Sequence, residues 1–128
     1  MAHDPPGVPF HWYLAGIGPQ PVGNPAIDNT SKNSVPILSW NTNCNIKFRV
    51  WFGNNAFFSK KTSLTFNIKD PGANGGVFTE SLTSSQWTTV QNLTGRIAGS
   101  TIYWYLESWD GVNRRTVSQP SGFFVVTE

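Results

Sequence analysis

The chain has 128 residues, a formal net charge of +2, 12% charged residues and a single cysteine. This length supports one domain around one core. The weak, scattered charge, with Lys60-Lys61 and Arg114-Arg115 as its only adjacent basic pairs, excludes a nucleic-acid footprint. No apolar run reaches the ~18 residues of a membrane-spanning helix, and Cys44 has no cysteine partner within the chain.

Residues 1–25 hold six prolines, at 5, 6, 9, 19, 21 and 25. Repeated proline removes amide donors and fixes φ, so extended chain or turns are expected there. The same stretch contains the apolar run Phe10-His11-Trp12-Tyr13-Leu14. No basic region followed by an apolar stretch opens the chain, so no signal peptide is expected. The chain then reads as cytoplasmic when made, or as a mature or excised segment with an added Met. Residues 27–33 read as a turn-rich loop.

Residues 35–40 read as a strand with Leu38 and Trp40 on one face. Residues 45–52 alternate, placing Ile46, Phe48, Val50 and Phe52 inward and Lys47, Arg49 and Trp51 outward. Cys44, just before this strand, reads as a small hydrophobe in or near the core. Leu64, Phe66 and Ile68 mark another strand, closed by Asp70-Pro71-Gly72, and Gly75-Gly76 open the next, around 77–82. Over 83–94, Trp87, Val90 and Leu93 recur every three residues with Ser84 as N-cap, which fits one or two helical turns. Thr88, Thr89 and Val90 prefer strand. Residues 101–109 alternate most cleanly, with Ile102, Trp104, Leu106 and Ser108 inward and Tyr103, Tyr105, Glu107 and Trp109 outward. Asp110-Gly111 supplies turn chemistry, and 123–126 is the last strand.

The proline-rich lead-in, Pro36-x-Leu38-x-Trp40, the strand from Phe48 to Phe52, the run from Gly99 to Leu106, the hairpin and the Phe-rich final strand together resemble the fibronectin type III and related immunoglobulin-like modules of bacterial secreted and surface proteins. The resemblance covers residues 19–128. It implies an all-β, immunoglobulin-like antiparallel β-sandwich, with Trp40 buried on the second strand and Trp104 and Leu106 inward on the sixth. The corner tyrosine of these modules falls near position 102, which is Ile here, with Tyr103 one step late. Their Leu-x-Pro before that corner is missing, and the 110–115 hairpin lacks the integrin-binding tripeptide. Residues 1–18 form a separate apolar arm.

In such a sandwich the third, sixth and seventh strands share a sheet. Trp51, Tyr103, Tyr105, Trp109 and one of Phe123 or Phe124 then gather on its outer face, flanked by Lys47, Arg49 and Glu107. Two sites are expected: this face, with Arg49, for a protein or a glycan, and the arm residues Phe10, Trp12, Tyr13 and Leu14 for a partner chain. Burying each arm side chain is worth roughly 1.5–3 kcal/mol, which favours docking on the arm's own domain or on another subunit. No catalytic constellation, cofactor or metal site is expected. Glu107 and Asp110 read as a cross-strand partner of Arg49 or Lys47 and a solvated turn acid, and His3, Asp4 and His11 match no ligand spacing. The sequons at Asn29 and Asn92 read as chance in an Asn- and Thr-rich chain. The expected function is a non-enzymatic structural or interaction module, extracellular or at the cell surface, contacting another protein or copies of itself. The alternative is a carbohydrate-binding module.

Overall fold

The computed structural model describes residues 19–112 and 114–128. The arm residues Phe10, Trp12, Tyr13 and Leu14 lie outside the described residues, as do His3, Asp4 and His11. Among the described residues there are seven strands: β1 Gly23–Asp28, β2 Ile37–Asn41, β3 Lys47–Gly53, β4 Lys61–Asn67, β5 Val77–Ser81, β6 Thr101–Trp109 and β7 Ser121–Val125, with apolar and polar side chains alternating most clearly in β3 and β6. They form two antiparallel sheets, ordered β1-β2-β5 and β4-β3-β6-β7. The expected all-β sandwich is what forms.

The inward positions of the two sheets make the core. Leu38, Phe48, Val50 and Ile102 are fully buried, and Leu106 and Phe52 nearly so. Each such side chain contributes roughly 1.5–3 kcal/mol on leaving water. Trp40 bridges the sheets, edge-on to Phe48 at 5.3 Å and stacked on Phe78 at 5.0 Å between ring centroids.

The structure departs from expectation in β1 and at Cys44. Residues 27 and 28, expected in a loop, belong to β1, where Asn24 takes φ 48° and the register slips between Gly23 and Ala26. The slip absorbs Pro25, which a central strand would reject and this edge strand accepts. Gly75-Gly76 lead directly into β5 as expected, and they also close a 3₁₀ turn, Ala73–Gly76. Cys44 is half-buried in a turn with φ 66°, outside the core proper.

The 83–94 segment is helical: α1 spans Ser84–Gln91 and a 3₁₀ turn follows over Asn92–Thr94. Thr83, not Ser84, is the N-cap. Its hydroxyl accepts from the Gln86 amide at 3.0 Å while its own amide donates to Gln86 Oε1 at 2.9 Å. This reciprocal pair satisfies two otherwise orphaned donors and offsets the strand preference of Thr88, Thr89 and Val90. Burial of Trp87 and Val90 against the sandwich completes the choice, with the Trp87 indole donating to Ser31 O at 2.9 Å.

Candidate functional site

The outer face of the four-stranded sheet gathers the side chains that parity placed there. β3 and β6 pair in register as Lys47 with Trp109, Arg49 with Glu107, Trp51 with Tyr105 and Gly53 with Tyr103. Trp51 stacks on Tyr105 at 6.0 Å and 21° between planes. Tyr103 meets Phe123 of β7 at 5.8 Å. Phe123 is therefore the outward ring of the Phe123-Phe124 pair, and Phe124 turns inward onto Phe52 and Trp87.

Cations interleave with the rings. Lys47 Nζ lies 4.8 Å from the Trp109 ring, Lys61 Nζ 4.8 Å from Trp51, and the Arg49 guanidinium 5.4 Å from Trp109 and 6.0 Å from Trp51. Such contacts hold a cation over the ring's negative face, worth about 0.5–1 kcal/mol at exposed sites. The ladder is thus largely self-satisfied.

Glu107 departs from its expected role. Arg49 sits opposite it in register but donates to Thr65 Oγ1 at 3.2 Å instead. The Glu107 carboxylate accepts from the Trp51 indole at 2.6 Å, from Arg115 Nη1 at 2.9 Å and from Gln119 at 3.5 Å. Residues 115–119 return along β6 and cover it, leaving Glu107 only 6% exposed although it points outward. Nearby, the Tyr105 phenol is pushed up, first by burial and then by the Glu107 charge, while Arg115 and Arg49 pull it down.

Asp110 is also not a solvated turn acid. Its Oδ1 accepts from the Val112 and Arg114 amides at 2.9 and 3.0 Å, and its Oδ2 pairs with Arg114 Nη2 at 2.9 Å. Burial raises its carboxyl pKa, but these amide bonds and the guanidinium outweigh burial and hold it below the ordinary value. Both carboxylates therefore organise the β6–β7 connection. Val112 and Val117 stand out from that connection, with Val117 96% exposed.

Sequence reasoning missed Phe58, Lys61, Arg115 and Gln119 as parts of the face. Phe58 takes φ 54° and lays its ring over Gly53, where a Cβ would fall 2.3 Å from it, and against Tyr105 at 4.9 Å. The sequence signal available for Phe58 was a glycine, Gly53, closing the β3 alternation at an outward position; Arg115 and Gln119 gave none, because their loop path is set by tertiary packing. Among the described residues no cluster of His, Cys, Asp and Glu is arranged to hold a metal, and no helix is long and apolar enough to cross a membrane.

The sheet order, with β1, β2 and β5 facing β4, β3, β6 and β7, decides the fold. It is that of a fibronectin type III-like module. The chain is similar to a computationally redesigned β-sandwich protein, with TM-score 0.53 and 14% identity over 85% of this chain and 96% of that one. It is also similar to the FN5 domain of Drosophila Lar, with TM-score 0.50 and 5% identity over 86% of this chain and 98% of that one. No family model matches the sequence, and no curated protein matches it. At these identities the likeness extends to the fold.

Proposed function

We propose that this fibronectin type III-like chain is a non-enzymatic interaction module of an extracellular or cell-surface assembly, such as a filament, pilus-like fibre, surface layer or virion. Its contacts are the N-terminal arm, through Phe10, Trp12, Tyr13 and Leu14, and the aromatic sheet face of Trp51, Tyr103, Tyr105, Trp109 and Arg49. The partner is another protein chain or a further copy of this one. The observation that carries the reading is where the aromatic face stops being covered. Phe123 is 64% and Val125 43% exposed at the margin of the ladder. Apolar surface continuous with an aromatic, Arg-containing face fits a protein contact.

The glycan alternative is weaker for a physical reason. A sugar stacking on Trp51 or Trp109 competes with Lys47, Arg49 and Lys61, which already lie over those rings. The test is light scattering coupled to size exclusion over a concentration series. The full chain is compared with one carrying Phe10→Ser, Trp12→Ser, Tyr13→Ser and Leu14→Ser. Oligomers that vanish with the arm substitutions support an assembly subunit. A chain that stays monomeric at every concentration refutes self-assembly and leaves only a different protein chain as partner, and oligomers unchanged by the arm substitutions refute the arm as connector.

A further inference from the structure

We propose that the free edge of β7 receives residues 10–14 of a second copy, which add to the four-stranded sheet as a fifth strand. This rests on the reading of the arm as a connector and names its acceptor. Four strands end the two sheets: β1, β5, β4 and β7. Sheet edges are templates for pairing with other chains, and proteins blunt them with proline, bulges or charge. β1 carries Pro25 and the register slip, β4 begins at Lys61 after Lys60, and β5 carries exposed Glu80. β7, Ser-Gly-Phe-Phe-Val, carries no charge and no proline.

The hydrogen bonds say which part of that edge is open. Leu106 N to Pro120 O, Gly99 N to Val126 O and Val126 N to Ser100 O turn the even-numbered residues toward β6. Odd-numbered residues therefore aim their amides and carbonyls away from it. At Val125 and Thr127 those groups are used: Thr30 Oγ1 donates to Val125 O, Thr127 N to Thr30 O, and Lys32 N to Thr127 O. Ser121 and Phe123 point the same way, and among the described residues no strand lies along them. The open stretch presents two amides and two carbonyls beside the exposed Phe123 ring, as strand addition requires.

The occupant follows from what precedes residue 19 and where it starts. Phe10–Ala15 is a six-residue run without Pro or Gly, and its part with large side chains, Phe10–Leu14, is as long as β7. The root of the arm is pinned. Asn45 Nδ2 donates to Gln20 O and Asn43 Nδ2 to Pro21 O, each at 2.7 Å. That end of the sandwich is the Trp109 end, since Ile46 N donates to Trp109 O. β1 enters the sandwich from there, and Pro19 and Pro21 fix φ in the residues that lead into it. Eighteen residues span up to about 60 Å. That length is enough to reach a neighbouring copy, and a contact from the Trp109 end of one copy to the β7 edge of the next is head-to-tail, of the kind that builds open filaments where it does not close into a ring.

The test keeps the full chain and changes the edge. Phe123→Lys and, independently, Ser121→Lys place a charge on exposed positions of β7, and Asn67→Lys does the same on β4. Light scattering is expected to show concentration-dependent association whose dissociation constant rises at least about tenfold in either β7 variant and is unchanged in Asn67→Lys. Amide exchange at Ser121 and Phe123 is expected to slow as concentration rises. Association lost on arm substitution but unchanged in both β7 variants overturns the edge and leaves the connector reading standing. Slow exchange at those two amides in a monomer places the arm on its own β7 and overturns the second copy. Failure of the full chain to associate overturns both.

Discussion

Replacing Glu107 by Leu tests whether the carboxylate holds the outer face together. The two side chains are similar in volume, so packing at this buried position changes little, while every acceptor is lost. The largest loss is the Trp51 indole bond, at 2.6 Å and charge-assisted; such bonds contribute about 1.5–3 kcal/mol. The Arg115 pair adds less. Its guanidinium side chain is 59% exposed, which keeps such a pair at or below about 1 kcal/mol. Burying Leu returns part of this, so the net cost is about 2 kcal/mol. For a chain of this length that corresponds to a fall in Tm of about 6–10 °C. Glu107→Gln keeps an oxygen for the indole and loses the charge, so it is expected to cost under about 1 kcal/mol. Urea and thermal unfolding followed by circular dichroism at pH 7 separate the two variants. Equal stabilities of the Gln and Leu variants, or a neutral Leu variant, would refute the assignment of the indole–carboxylate bond as the dominant interaction.

Other residues give independent checks. Thr83→Ala removes the capping hydroxyl of α1 and is expected to cost about 1 kcal/mol in urea unfolding, whereas Ser84→Ala leaves stability within about 0.5 kcal/mol. Gly53→Ala drives a Cβ into the Phe58 ring. The ring must leave Tyr105, at an expected cost of about 1–3 kcal/mol, visible as loss of ring-to-ring contacts by NMR. The Asp110 carboxyl is held below its ordinary value by the Arg114 and Val112 amides and the Arg114 guanidinium. A depressed folded-state pKa contributes stability above the unfolded-state value and loses it as pH falls through the folded-state value. The wild-type protein should therefore lose more stability than Asp110→Asn on acidification below the ordinary aspartate range, as read by Tm against pH.

The alternation of β3 and β6 was enough to place Trp51, Tyr103, Tyr105 and Trp109 on one face, because side-chain direction in a strand follows parity. β1 was hidden because Asn24 and Pro25 carry the signals of a turn. Only the partner strand β2, supplying bonds on one side and tolerating the slip, makes them a strand. The cap was legible as Thr83-x-x-Gln86; Ser84, also a capping residue type, is the first residue of the helix instead. Glu107 was placed on the correct face with the wrong neighbours. Parity fixes which way a side chain points, but not whether a loop ten residues later folds back over it. That return depends on Asp110 gathering the Val112 and Arg114 amides, a purely local device with a long-range consequence.

The same economy separates the parts of the surface that are finished from those that are not. Cations cover the Trp rings, Phe58 covers Gly53, and residues 115–119 cover Glu107, so the centre of the sheet face leaves little unsatisfied. Exposed apolar side chains at the margins of this sheet include Val112 and Val117 at the Trp109 end, Phe123 and Val125 on the β7 edge, and Phe57, 90% exposed, at the opposite end. Phe57 is not there through a loose loop. Asn55 Oδ1 accepts from the Phe57 and Ser59 amides and Asn54 Oδ1 from the Lys60 amide, which fixes the turn that presents the ring. Ordering a loop in advance lowers the entropy lost on contact. If copies also meet end to end, the Phe57 turn, which joins β3 to β4 on the side of the sheet away from β7, offers a contact separate from the β7 edge. A Phe57→Ser substitution should therefore weaken association further in a Phe123→Lys background. If it instead acts only in the wild-type background, the ring serves the same strand contact and the end-to-end surface is not a separate one.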